Sequence, residues 1–232
     1  MLLGFKTELK LNDKQRTQFI KHCGVARHAW NWGLGLTKQI LDNNKDNPND
    51  RIKFPTAIDL HKWLIALVKP HCPWYYECSK TAPQEALRAL RKAWEMFFKK
   101  KSGVPNFKKK GRKDCFTLEG AIDVDHRKIK LPKIGWIKTY ERLSQGITAK
   151  SVTISRQADK WFASWIIEIE PTNKPKSKSS AIFAVADAEG VDYDSHAIIQ
   201  NVGMKIAANQ NLERVQQLID QVDSVIGSDR NE

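Results

Sequence analysis

Hydrophobic periodicity changes twice along this chain, and the order of those changes limits the folds open to it. Residues 2–11, LLGFKTELKL, set Leu3, Phe5, Thr7, Leu9 and Leu11 against Gly4, Lys6, Glu8 and Lys10, the period-two pattern of a half-buried strand. Helical patterns then run to about Gly103, after which the period returns to two. CFTLEGAIDV, KIKLPKIGWIK, AKSVTISRQ and KWFASWIIEIE read as short strands rich in Val, Ile, Thr, Trp and Phe, separated by turn-forming segments such as VDHR, SQG and QAD. Strands at this spacing predict a small barrel or sandwich. The opening strand is expected to return and pair with them, which makes the fold class α+β: a β domain built from residues 1–11 and 103–170, with a helical domain, 12–102, inserted in it.

Within the helical block, LNDKQRTQFI predicts a helix capped by Asn12 or Asp13, with Gln15 or Arg16 in the first turn. Its continuation, CGVARHAWNWGL at 23–34, sets two tryptophans either side of an asparagine. Phe19, Ala26, Trp30 and Leu34 fall near one face, with Cys23 and Gly33 beside them, and Arg27 and Asn31 lie four apart on a polar edge. Trp30 is therefore expected in the core, and Trp32, about 200° round the helix, needs a second partner. PTAIDLHKWLIALVK, 55–69, predicts a helix led by Pro55 with Ile58, Trp63, Leu64 and Leu67 near one stripe. In TAPQEALRALRKAWEMFFKKK, Leu87, Leu90, Trp94, Phe97 and Phe98 form the clearest helical stripe.

The 232 residues, 41% hydrophobic, suffice for a real core and one to two domains, while a net charge of +13 favours a polyanionic partner, nucleic acid or an anionic membrane surface. That charge is unevenly spread. Residues 1–180 carry 36 Lys and Arg against 17 Asp and Glu, whereas 181–232 carry 3 against 9, and all eight tryptophans precede residue 166. PTNKPKSKSS, 171–180, has the composition of a solvated linker between the two regimes. No apolar run approaches the roughly 18 residues of a membrane span, and Lys6, Glu8 and Lys10 interrupt any signal peptide, so the expectation is a cytoplasmic protein without membrane attachment. Cys23, Cys72, Cys78 and Cys115 lack paired CxxC spacing; a metal cluster of Cys72 and Cys78 with His61 and His71 is weighed against ordinary buried thiols, and the latter is preferred.

KKKSGVPNFKKKGRK, 99–113, carries eight Lys and Arg and no acid, broken by Gly103, Pro105 and Gly111 around the lone aromatic Phe107. Read as a solvated loop it does nothing more. Read as a phosphate-backbone contact, Lys99, Lys100, Lys101, Lys108, Lys109, Lys110, Arg112 and Lys113 hold phosphates, and Phe107 stacks or anchors the loop. Arg27 and Asn31 are candidates of the same kind, since arginine bridges phosphates and asparagine reads base edges; a polar helix edge explains them nearly as well.

GVARHAWNWGL, then PWYYECSKTAPQEALRALRKAWEMFFKKKSGVPNFKKKG, then KIKLPKIGWIK and KSVTISRQADKWFASWIIEIE, resemble in order the N-terminal half of the transposon-encoded TnpB/OrfB proteins, ancestors of the compact type V CRISPR effectors. The resemblance spans about residues 2–172. It implies a helical recognition domain, a β-barrel wedge domain and then a RuvC-like nuclease with a zinc ribbon, in a family of RNA-guided DNA endonucleases that accompany transposition.

A RuvC site needs several carboxylates brought together around two divalent ions, which activate water and stabilise the leaving oxygen. AIFAVADAEG offers Asp187 near the family's first aspartate, but Glu189 stands where the family's glycine is expected. Asp187, Glu189, Asp192 and Asp194 could form a metal cluster holding Mg or Mn; the preferred reading has them solvate a strand and turn before NLERVQQLIDQVDSVIG, whose Leu212, Val215, Leu218, Ile219, Val222 and Ile226 form one stripe. That acidic segment resembles at most a RuvC/RNase H-like fragment, and its helix offers a surface for a homodimer or a full-length relative. The expectation is a shortened TnpB-like protein that binds structured RNA, DNA or both, needs no cofactor and is not a competent nuclease. The alternatives are a metal-dependent nuclease acting through Asp187, or a mobile-element remnant without a retained role.

Overall fold

The opening strand does return. In the computed structural model, which describes residues 2–143 and 147–168, β1 (Leu2–Lys10) runs antiparallel to β6 (Lys160–Glu168) from Leu2 to Leu9 and touches β4 (Gly135–Thr139) at its end, through Leu9 and Lys10. With β2 (Cys115–Asp125), β3 (Lys128–Leu131) and β5 (Ile147–Gln157), these strands close a six-stranded antiparallel barrel in the order β1-β4-β3-β2-β5-β6. The alternation read in β1 is the one observed: Thr7 and Leu9 are buried, while Gly4, Lys6 and Lys10 are exposed. Leu118, Ile122, Ile129, Ile137, Ile154 and Ala163 are fully buried, so the interior is a packed core. β2 carries a bulge between Glu119 and Ile122, where Gly120 adopts a φ of 131°, and such bulges let a strand bend round a small barrel.

KIKLPKIGWIK, read as one strand, is two. Pro132 has no N–H to continue a ladder, Lys133 and Gly135 turn the chain at φ of 66° and 87°, and the Ile134 N–H closes the turn on the Leu131 carbonyl at 3.2 Å.

Between β1 and β2 in the sequence lie the helices. The predicted cap of α1 (Asp13–Asp46) is a full capping box: the Asn12 side chain accepts the Gln15 N–H, and the Gln15 side chain accepts the Asn12 N–H. This helix is buried along two stripes. Phe19 and Cys23 lie on one, with Phe19 edge-on to Phe116 and Trp161 of the barrel at 5.4 and 5.1 Å. Val25, Ala29, Trp32 and Leu36, spaced i, i+4, i+7, i+11, form the other. The expectation for the two tryptophans is thus reversed. Trp32 is fully buried and Trp30 only partly, because a helix covered on two sides has no single core face from which to measure an angle.

α3 (Thr81–Phe98) packs on α1 through the predicted stripe, Leu87, Leu90 and Trp94 being buried. A Cβ at Gly33 would lie 2.8 and 2.9 Å from the Cδ2 atoms of Leu87 and Leu90, so glycine there permits the close helix contact. Nearby, the buried Thr37 hydroxyl donates to the Gly33 carbonyl at 2.8 Å and accepts the Trp94 Nε1–H at 3.0 Å. The second helix departs from its prediction. α2 (Ala57–Trp63) starts from a Thr56–Asp59 capping box and passes into a π turn at Leu64–Val68, then into 3-10 turns at Lys69–His71 and Pro73–Glu77. Pro70 and Pro73 lack the N–H groups a longer α-helix needs. Its buried residues are Leu60, Leu64 and Val68, whereas Ile58 is 66% exposed.

His22 joins the two halves of the helical block. Its Nδ1–H donates to the Gln18 carbonyl at 2.7 Å and its Nε2 accepts the Ser79 N–H at 3.0 Å, an arrangement that only the neutral ring supports. Burial holds its pKa below the ordinary 6.5, and His61 shifts the same way for the same reason. The unfolded chain then binds more protons than the fold just below pH 6.5, so stability declines as pH falls through that value toward the depressed folded pKa. Urea midpoints measured from about pH 7.5 down to about 5 should fall in the native protein and fall less steeply in His22→Gln.

Candidate nucleic-acid interface

The basic segment leaves α3 as a loop, and the polar edge of α1 holds it. Three residues of that edge each grip a different part of the loop. Trp30 donates from Nε1 to the Asn106 carbonyl at 3.0 Å. Asn31 takes both backbone groups of Lys108, its Nδ2 donating to the carbonyl at 3.0 Å and its Oδ1 accepting the N–H at 2.8 Å. Arg27 pairs with Asp114 at 3.2 Å, and the same Asp114 oxygen accepts the Gly111 N–H at 3.2 Å. Gly111 and Lys113 both turn at positive φ, 76° and 60°, so the loop has a defined path between its clamps.

This framework sorts the cations predicted from sequence. Lys99, Lys100 and Lys101 are exposed where α3 ends, their N–H groups donating to the carbonyls of Glu95, Phe97 and Met96. Lys109, Lys110, Arg112 and Lys113 are also exposed, and among the described residues none of these seven has an ion-pair partner. Lys108 differs. Its ammonium sits 4.1 Å from the centre of the Trp30 ring, and burial lowers its pKa. Phe107 is half-exposed, with the Lys38 ammonium 4.9 Å from its ring centre. Asp187 and the acidic cluster around it lie outside the described residues.

Sequence reading missed Trp30 and Asp114 as clamps and Lys38 as a neighbour of the loop. The available signal was the lone acid at the end of an otherwise acid-free basic run. It also passed over Trp136, 44% exposed on β4, with Lys128 and Lys130 at 4.8 and 5.9 Å from its ring centre.

Asn31→Ala strips the partners from two backbone groups and should cost about 1–2 kcal/mol, with faster amide exchange at Lys108. Base readout by Asn31 would instead alter sequence preference and leave that amide protected.

The cysteines are free, and burial pushes the Cys78 thiol up to about 11 and raises that of Cys23, so both are unreactive. Among the described residues, no three His, Cys, Asp or Glu side chains stand close enough to share a metal ion, and no helix is long and apolar enough to cross a membrane.

Fold and loop together define an α+β protein in which a closed antiparallel barrel adjoins helices that display a cationic loop. Residues 1–46 match a helix-turn-helix domain of the IS605 OrfB type, although here that stretch is a strand followed by one uninterrupted helix. The chain is 26% identical to InsQ of Escherichia coli (strain K12), named a "putative RNA-guided DNA endonuclease", over 186 residues covering 78% of this chain and 44% of InsQ. Two Mycobacterium tuberculosis proteins with the same descriptive name, MT2953 and Rv2885c, are each 27% identical over 225 residues, 81% of this chain and 49% of theirs. These similarities fall on the TnpB/OrfB proteins that the sequence motifs also resemble, and the chain spans about half the length of the relatives it matches.

Proposed function

We propose that the chain binds nucleic acid, structured RNA or DNA, through the loop 99–113, with the phosphate backbone held by Lys99, Lys100, Lys101, Lys109, Lys110, Arg112 and Lys113. The observation that carries this reading is the clamp: Arg27, Trp30 and Asn31 fix the loop's backbone, while seven cations remain exposed and unpaired among the described residues. A loop ordered beforehand loses less entropy on binding than a free basic tail. Arg27 and Asn31 then act by positioning, and Phe107 offers a ring to an unpaired base. The relatives' names support a nucleic-acid partner. The test is a salt titration of binding to an RNA hairpin and to a DNA duplex: log affinity should fall with log salt at a slope of about −0.7 to −0.9 per phosphate engaged. A slope near zero on both would overturn the proposal.

In the same reading, the barrel acts as a wedge-like domain in two pieces, 1–11 and 103–170, and 12–102 acts as an inserted recognition domain; the pairing of β1 with β4 and β6 across the intervening helices supports this division. The linker 171–180 and the acidic segment 181–232 lie outside the described residues; in this reading the segment resembles at most a fragment of a RuvC/RNase H-like fold and serves a homodimer or a full-length relative in the cytoplasm. Glu189 in place of the expected glycine supports binding without cleavage. The 232-residue polypeptide with Mg²⁺ or Mn²⁺ should leave single- and double-stranded DNA uncut, and cutting that Asp187→Ala abolishes would favour the nuclease alternative.

A further inference from the structure

Between the C-terminal halves of α1 and α3 lies a cavity of about 660 Å³, within the range of about 300–1,000 Å³ usual for small-ligand sites. Its wall is aromatic. The rings of Trp94 and Phe98 are 5.7 Å apart and inclined by only 20°, and Phe98 remains 47% exposed. Its rim is cationic, with Lys38, Lys45 and Arg51, and Asp42, the one carboxylate among the described lining residues, is paired with Lys45 at 2.8 Å. Asn44 also borders the cavity, but its side-chain amide is engaged by both backbone groups of Ile52. The basic loop runs into the cavity: Val104, 46% exposed, lines it, and Lys38 reaches from its rim to within 4.9 Å of the Phe107 ring centre.

We propose that this cavity takes one unstacked base of an unpaired nucleotide, its face against Phe98 and its phosphate among Lys38, Lys45 and Arg51. The exposed Phe98 ring, backed by Trp94 under a positive rim, matches the two halves of a nucleotide, an apolar π face and an anionic link. Continuity with the loop gives the site its source: a strand whose phosphates lie on Lys99–Lys101 and Lys109–Lys113 passes the cavity mouth at Val104. An apolar peptide would use the wall but bring no anion to Lys38 and Arg51, the two rim cations that Asp42 does not pair.

The inference rests on the binding reading above, and its test separates the two. A hairpin oligonucleotide, made in RNA and in DNA, carries a short single-stranded tail either with bases or with abasic residues. The native protein should bind the tail with bases about tenfold more tightly at equal salt slope. Phe98→Ala should erase that preference, Phe98→Tyr should keep it, and all three proteins should share one salt slope. Val104→Asp, at an exposed mouth position that the fold does not depend on, should also erase it. Equal affinity for the two tails, or a preference that survives both Phe98→Ala and Val104→Asp, overturns the cavity site while leaving the loop's role intact. A change of oligomeric state in Phe98→Ala without any base preference in the native protein assigns the cavity to a second copy and overturns it too. Failure of the native protein to bind either hairpin overturns the binding reading itself.

Discussion

Trp32→Ala should cost about 3–5 kcal/mol, enough to unfold much of a marginally stable domain, because it removes one of the two buried tryptophans of the helical core. Trp30→Ala should cost far less, about 1–2 kcal/mol, through one hydrogen bond to Asn106 and the Lys108 contact on its ring. Trp32→Phe offers an internal check. Among the described residues the Trp32 Nε1–H is buried without a hydrogen-bond partner, so phenylalanine removes an unsatisfied donor along with volume and should cost clearly less than alanine. Urea denaturation of the three variants decides the order. A larger loss for Trp30→Ala than for Trp32→Ala would mean that the wrong tryptophan has been placed in the core.

Replacing Lys109, Lys110, Arg112 and Lys113 together by alanine should flatten the slope of log affinity against log salt by roughly 3, at about 0.7–0.9 per phosphate contact. Lys108 is left in place because its ammonium packs on Trp30. All four replaced side chains are exposed, so the melting temperature should move by no more than about 2 °C. Arg27→Ala makes the contrast. Its guanidinium is held by Asp114, with only 23% of the side chain exposed, so its loss frees the loop without removing a phosphate ligand. Affinity should fall while the slope stays nearly native. An unchanged slope in the fourfold variant would return the loop to a solvated surface, and a slope change in Arg27→Ala equal to one contact would make Arg27 itself a phosphate ligand.

Legibility followed the range of the physical signal. The inward and outward residues of β1 could be read because strand geometry sends successive side chains to opposite faces. The Asn12 cap and the Leu87–Leu90–Trp94 stripe are equally local, set within one to three helical turns. KIKLPKIGWIK misled because its alternation continues through Pro132, where the ladder cannot. The π turn after Trp63 carried no signal at all, since the same apolar run suits either helix.

For the loop, the sequence alone determined the charge: eight basic residues without an acid must repel one another and attract an anion wherever they lie. It could not determine which of them face solvent. Lys108 looks identical to Lys109 and Lys110 in the chain, yet Trp30 and Asn31, more than seventy residues earlier, draw it back against α1. Trp30 and Trp32 make the same point from the helix side. Helical spacing determined that the two rings point to different sides, but which side is core depends on what packs there, and only the tertiary structure, by setting α1 between the barrel and α3, placed Trp32 inside and left Trp30 to hold the loop.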